Sequence, residues 1–194
     1  FFVGQTPEGT YYFNGLYNYT LSLVFTDLSS GEPLGVVQGQ ETHSGLLGVF
    51  PMGGGQFGLA TFNFNERFFQ GRVAVDESEI SATVDLEGNP IPELDLNANV
   101  QAMGLFDQHV IFGADTRDRQ IMLYAYSQES GELVGTQYYG FGLPYRFSRM
   151  NVTGDGGLII TGSVYVADRF QRVALIRLAE EDVNALTSGA PAAE

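Results

Sequence analysis

The sequence predicts an all-β fold, a β-propeller or half-propeller of about four antiparallel meander blades, on three observations. A segment recurs at a period of fifty residues, each copy pairs two short β-branched or aromatic runs, and helical composition is confined to one stretch near the end. Residues 26–35 and 126–135 lie 100 positions apart and share Ser30-Gly31-Glu32 and Ser130-Gly131-Glu132. Residues 72–77 occupy the midpoint of that interval, aligned with 22–27 and 122–127, and 172–177 lie one further period along. A fixed period of this length reassigns a fold from one generic domain to an array of like units.

Each aligned strand is preceded by a second run, at residues 9–15, 55–62, 109–113 and 157–162, rich in Tyr, Phe, Val and Ile and bounded by glycine. Polar stretches of hairpin length separate the two runs, such as 114–119 and 166–171. Gly31 and Gly131 supply the positive φ that a tight turn after the second run needs. The unit is then a meander of three or four strands, and such a sheet hides its apolar face only against the next unit. The expected boundaries are 5–52, 53–106, 107–153 and 154–178 within a repeat domain of residues 1–178. Residues 179–194 read as a short helix and a flexible tail beginning at Thr187. A β-sandwich or barrel is the alternative architecture.

The run Gly154-Asp155-Gly156-Gly157-Leu158-Ile159-Ile160-Thr161-Gly162, with Ala174-Leu175-Ile176-Arg177-Leu178 after a polar hairpin, resembles the blade repeat of bacterial extracytoplasmic β-propeller proteins, many of them surface lipoproteins. In the second copy the Asp-Gly-Gly element becomes Gly53-Gly54-Gly55, and in the third Asp107-Gln108-His109. The chain has no Trp, which sets it apart from WD-type repeats. The resemblance implies a propeller fold, an extracytoplasmic location in the periplasm or on the cell surface, and a binding role.

The 194 residues carry 9 arginines, no lysine and 23 acidic residues, for a net charge of -14. Phosphate neutralisation needs clustered cations, so nucleic acid and anionic membrane surfaces are disfavoured as partners. The absence of cysteine excludes disulfides, thiolate zinc sites, iron–sulfur ligation and cysteine nucleophiles. No window of eighteen uninterrupted apolar residues occurs, so direct membrane insertion by a helix is not expected. No signal peptide stands at the start, which is Phe1-Phe2-Val3-Gly4; this reads as a processed or truncated front, or as a strand completing the last blade. A lysine-free acidic surface suits strong solvation, and a GC-rich genome would produce the same composition.

Catalytic motifs are sparse. No Gly-x-Ser-x-Gly elbow occurs, and the two histidines, His43 and His109, would need a carboxylate to complete a zinc site. Asp115, Asp118 and Asp168 fall in equivalent hairpins and are the residues a carbohydrate-active hydrolase with carboxylates at the propeller axis would use, although solvated hairpin tips have the same composition. Calcium, a hard cation seeking oxygen ligands, is the metal the acidic loops would hold, at Asp85, Glu87 and Asp95; a calcium-dependent adhesion module follows from that reading. The stretch 85–99, with Pro90 and Pro92, reads as the longest irregular insertion.

Aromatic residues exceed what alternating core positions absorb, at Phe62, Phe64, Phe68 and Phe69, and again at Tyr138, Tyr139, Phe141, Tyr145 and Phe147. Aromatics beside arginine dominate protein interfaces and stack on sugar rings, so Tyr138, Tyr139, Phe141, Tyr145, Arg146 and Phe147 form the expected binding surface. The expected function is a non-catalytic binding or scaffolding subunit of an exported, surface or membrane-associated complex, without a cofactor. Its partner would be a protein completing or covering an open blade edge, with a glycan as the second ligand class.

Overall fold

The computed structural model describes residues 3–17, 20–39, 44–84, 88–106, 108–166 and 170–189. The fold is all-β, with four sheets and one helix, and none of the sheets closes on itself among the described residues. The chain divides into two compact units, Phe1–Pro92 and Glu93–Glu194, where the sequence suggests one repeat domain.

The first unit holds two sheets. Sheet one contains β1 (Val3–Gln5), β2 (Tyr11–Tyr17), β3 (Thr20–Thr26) and β4 (Pro33–Gly39), each antiparallel to the last. Sheet two contains β5 (Ser44–Gly53), β6 (Gln56–Asn63) and β7 (Glu66–Ala74). After β7 the chain does not continue that sheet. It crosses instead to β8 (Ile80–Val84), which pairs parallel with β4, and then returns as β9 (Asn89–Pro90) beside β7. Part of the expected irregular insertion is therefore strand, and Ile91 is buried.

The second unit repeats the plan. Sheet three runs β10 (Gln101–Leu105), β11 (His109–Asp115), β12 (Ile121–Ser127) and β13 (Leu133–Tyr139); sheet four runs β14 (Tyr145–Val152), β15 (Leu158–Val164) and β16 (Arg172–Leu178). The helix α1 (Glu180–Ser188) follows. The Asp182 carboxylate accepts the Ala179 backbone N–H at 2.9 Å, and Gly189 closes the helix with φ 70°. Thr187 and Ser188 thus belong to the helix, which corrects the expectation of a tail from Thr187; residues 190–194 lie outside the described residues.

The segments aligned by the fifty-residue period fall on the third strand of sheets one, three and four, β3, β12 and β16, while the second, 72–77, overlaps only the end of β7 at residues 72–74. The two clearest copies agree in detail. Gly31 and Gly131, at φ 70° and 74°, donate to the carbonyls of Asp27 and Ser127, and the N–H groups of Glu32 and Glu132 each reach a serine hydroxyl at 3.2 Å. The pairing register slips at Phe25/Thr26 and again at Ala125/Tyr126, so even the bulge recurs after 100 residues. The expected boundaries near 52, 106 and 153 fall at the hairpins between first and second strands, so the sheets are offset from the repeat by one strand. Val3–Gln5 pairs with β2 in sheet one rather than completing the last sheet.

Alternation along the strands builds the cores. In the first unit Tyr12, Leu23, Phe25 and Val37 of sheet one pack with Phe57 and Leu59 of sheet two, the rings of Phe25 and Phe57 lying 5.7 Å apart. In the second unit Ile111, Ile121, Leu123 and Ala125 of sheet three meet Met150, Leu158 and Ile160 of sheet four, closed at one side by Val183 and Leu186 of α1. Sheet three is buried on its other face too, where Val110, Phe112, Met122 and Tyr126 are shielded from solvent.

Candidate functional site

The loop between β13 and β14, residues 140–144, carries the most exposed of the expected binding residues. Gly140 and Gly142 hold φ of +100° and +97°, left-handed conformations that strain a residue with a Cβ, and they turn the chain sharply twice within three residues. Opposite stands the hairpin that joins β11 to β12. Thr116 organises it: its N–H donates to the Gln120 carbonyl at 2.9 Å, its hydroxyl accepts the Gln120 N–H at 3.0 Å, and its carbonyl accepts the Arg119 N–H at 3.0 Å. Arg119 sits at φ 59°, unusual for a residue with a side chain, and its carbonyl accepts the Tyr145 N–H at 2.7 Å. The Pro144 carbonyl accepts the Tyr165 N–H at 2.9 Å, so the loop is fastened at its downstream end to two elements.

Between hairpin and loop lies an open depression of 480 Å3 lined by Asp118, Arg119, Gln120, Phe141, Leu143 and Pro144. Phe141 is 79% exposed and Leu143 43%, side chains that solvent exposure disfavours. The opposite wall offers one anion and one cation. Such a site can bury an apolar or ring-shaped group against Phe141 while Arg119 and Asp118 read polar groups at its edge.

The other expected binding residues separate. Phe147 is buried in the core of the second unit, a correction to its assignment as a surface residue: the pairing register slips between Phe147 and Arg149, and this bulge sets Phe147 on the same inward face as Met150 three positions on. Tyr138 and Tyr139, adjacent on β13, point to opposite faces. Tyr139 packs on the sheet-four side, and burial, with Asp182 adding to it, holds its hydroxyl in the neutral form. Tyr145 is half-buried against the same core, and Arg146 is exposed.

Tyr138 belongs to a cluster that the sequence does not announce. Its hydroxyl donates to the Glu93 carboxylate at 3.0 Å and lies 2.9 Å from the Tyr124 hydroxyl, which donates to the same oxygen. Burial opposes ionisation of Glu93, but the Tyr124 and Tyr138 hydroxyls outweigh it and set the carboxyl below its usual range. Burial and the contact with Glu93 push the Tyr124 phenol up, so it stays a donor.

Asp115 is not a solvated hairpin tip. It ends β11, 7% exposed, and accepts the Phe147 N–H, so it ties sheet three to sheet four. Burial raises its carboxyl; the Phe147 N–H and the Arg146 charge oppose that rise, and Asp95 adds to it. Asp118 alone of the three carboxylates lines the depression, while Asp168 lies outside the described residues. Of the calcium candidates, Asp85 and Glu87 also lie outside them, and Asp95 spends one carboxylate oxygen on the Asn97 N–H at 2.7 Å in its own turn. No three His, Asp or Glu side chains converge on a metal position among the described residues. His109 starts β11 and burial lowers its pKa, favouring neutral imidazole; His43 is outside the described residues. No helix among the described residues is long and apolar enough to cross a membrane, which leaves β-strand crossing unaddressed.

No protein-family model matches the chain, and no curated protein matches it in sequence.

Proposed function

We propose that the chain is a non-catalytic binding or scaffolding subunit of an extracytoplasmic complex, built from propeller blades, that recognises its partner through the depression between residues 118–120 and 140–144. The observation that carries the reading is the exposed pair Phe141 and Leu143 on a backbone fastened by the Tyr145 and Tyr165 N–H groups. Aromatic residues and arginine are among the residues that carry interface energy, and fastening a loop at one end reduces the entropy it loses on binding. The blade reading is supported by the recurrence of turn and bulge after 100 residues.

The reading separates from a hydrolase by turnover. Arrays of peptides and glycans probed with the wild-type chain and with Phe141→Ala are expected to show at least tenfold weaker binding for the variant at unchanged melting temperature, about 1.4 kcal/mol of lost contact. Cleavage of an array glycan, abolished by Asp118→Asn, would instead establish the hydrolase.

A further inference from the structure

We propose that the outward face of sheet four is a docking surface for an acidic amphipathic helix of a partner protein. The inference draws on sheet four alone and does not use the depression at Phe141.

The repeat identifies the face. Leu23 and Phe25 of the first copy, Leu123 and Ala125 of the third, and Val173 and Leu175 of the fourth occupy equivalent positions, and all are apolar. In sheet one Leu23 and Phe25 pack toward sheet two, and in sheet three Leu123 and Ala125 pack toward sheet four; these four are at most 1% exposed. Val173 and Leu175 of β16 point away from the core that Ile160 and Leu178 enter, and they are 85% and 64% exposed. No sheet follows β16 among the described residues, so the row that the next sheet covers in the earlier copies lies open here.

The rest of the face is graded in charge. Across the pairing Val173 stands in register with Ser163 and Arg146, and Leu175 with Thr161 and Arg149. An apolar column on β16 and a cationic column on β14 therefore run side by side, two strand spacings or about 9.6 Å apart, with about 6.7 Å between successive outward residues. Arg177 is paired with Asp155, whereas Arg146 and Arg149 are exposed and make no ion pair among the described residues. Between positions 145 and 178 five of the nine arginines accompany only two of the 23 acidic residues, so this sheet is basic in a chain of net charge -14. Salt screens exposed charges beyond about 10 Å, so a group approaching the face responds to these arginines more than to the total.

These dimensions select a helix. A helix about 10 Å across covers both columns at once, whereas a single strand covers one. Its carboxylates at i and i+4, about 6 Å apart, meet Arg146 and Arg149, while leucines on the adjoining stripe meet Val173 and Leu175. A further apolar sheet, packed as sheet four packs on sheet three, would instead bury both guanidinium groups without partners. An acidic amphipathic helix already covers part of sheet three: α1 opens with Glu180, Glu181 and Asp182, sets Val183 and Leu186 into the core and lies against β13. Three strands of seven residues present about 330 Å2, so docking removes about 650 Å2 in all, the size of a transient contact.

The probe is a stapled peptide of about 14 residues, four turns long, with leucines on one stripe and glutamates at i and i+4 on its flank, titrated against the full chain by fluorescence anisotropy. It is expected to bind, and the same peptide with lysine for glutamate, and polyglutamate without the leucines, are expected to bind at least tenfold more weakly. Arg149→Glu and Leu175→Asp should each weaken the glutamate peptide at least tenfold with unchanged circular dichroism, and Arg149→Glu should gain affinity for the lysine peptide. No binding, binding indifferent to Leu175→Asp, or polyglutamate or oligogalacturonate binding as tightly as the peptide would each overturn the proposal. A dimer in sedimentation that Leu175→Asp dissociates would assign the face to a second copy and overturn it too. Phe141→Ala is expected to bind the peptide as the wild type does; loss of binding there would place the peptide in the depression instead.

Discussion

The carboxyls of Asp115 and Glu93 are shifted in opposite directions, and Asp115 is the more deeply buried of the two. At Asp115 burial, with the field of Asp95 adding to it, prevails over the Phe147 and Asn99 N–H groups and the Arg146 charge, and its carboxyl rises. Glu93 meets two phenolic hydroxyls on one oxygen, which overcome its burial. A carboxyl lowered by folding contributes stability that is complete above its unfolded value near 4.3 and is lost as pH falls through the folded value. Tyr124→Phe is therefore expected to cost about 1 kcal/mol at pH 7, a partly solvated hydrogen bond, and much less at pH 3. Urea unfolding at the two pH values checks this, and an equal cost at both would show that ring packing dominates. No motif marks this cluster in the sequence, because Glu93 reaches Tyr124 and Tyr138 across 31 and 45 residues. The divergence of Tyr138 from Tyr139 follows from strand alternation once the strand limits are known, whereas Phe147 shares the inward face with Met150 through a bulge that alternation does not give.

At the scale of elements, the second and third strands of every sheet were legible, because aromatic and β-branched runs closed by glycine mark a strand locally. The crossing of β8 to a parallel partnership with β4 was not: its residues pair with a strand more than forty positions earlier, and nothing near Ile80 encodes that choice. The seat of α1 is likewise a tertiary property written in one glycine. A Cβ on Gly135 would lie 1.8 Å from the Leu186 carbonyl oxygen, a distance only backbone movement can relieve. Gly135→Ala is expected to lift α1 from β13 and to raise amide exchange at residues 183–188 at least tenfold, with the hairpins of sheet three unchanged. Protection of the helix equal to wild type would show that β13 yields instead.

For the whole molecule, net charge and the repeat act on different questions. A charge of -14 disfavours polyanionic partners and keeps the units solvated, while the clustering of arginine after residue 145 gives the molecule a polarity that the total conceals. On the proposed reading the repeat supplies scaffold and not specificity, and recognition falls to a loop that interrupts the strands, where Phe141 is 79% exposed. That division of labour is the central claim, and hydrogen exchange of the chain with and without a ligand selected on the arrays tests it most directly. The account predicts slowed exchange confined to residues 117–120 and 140–146. Protection concentrated elsewhere, with these two segments unchanged, would contradict it.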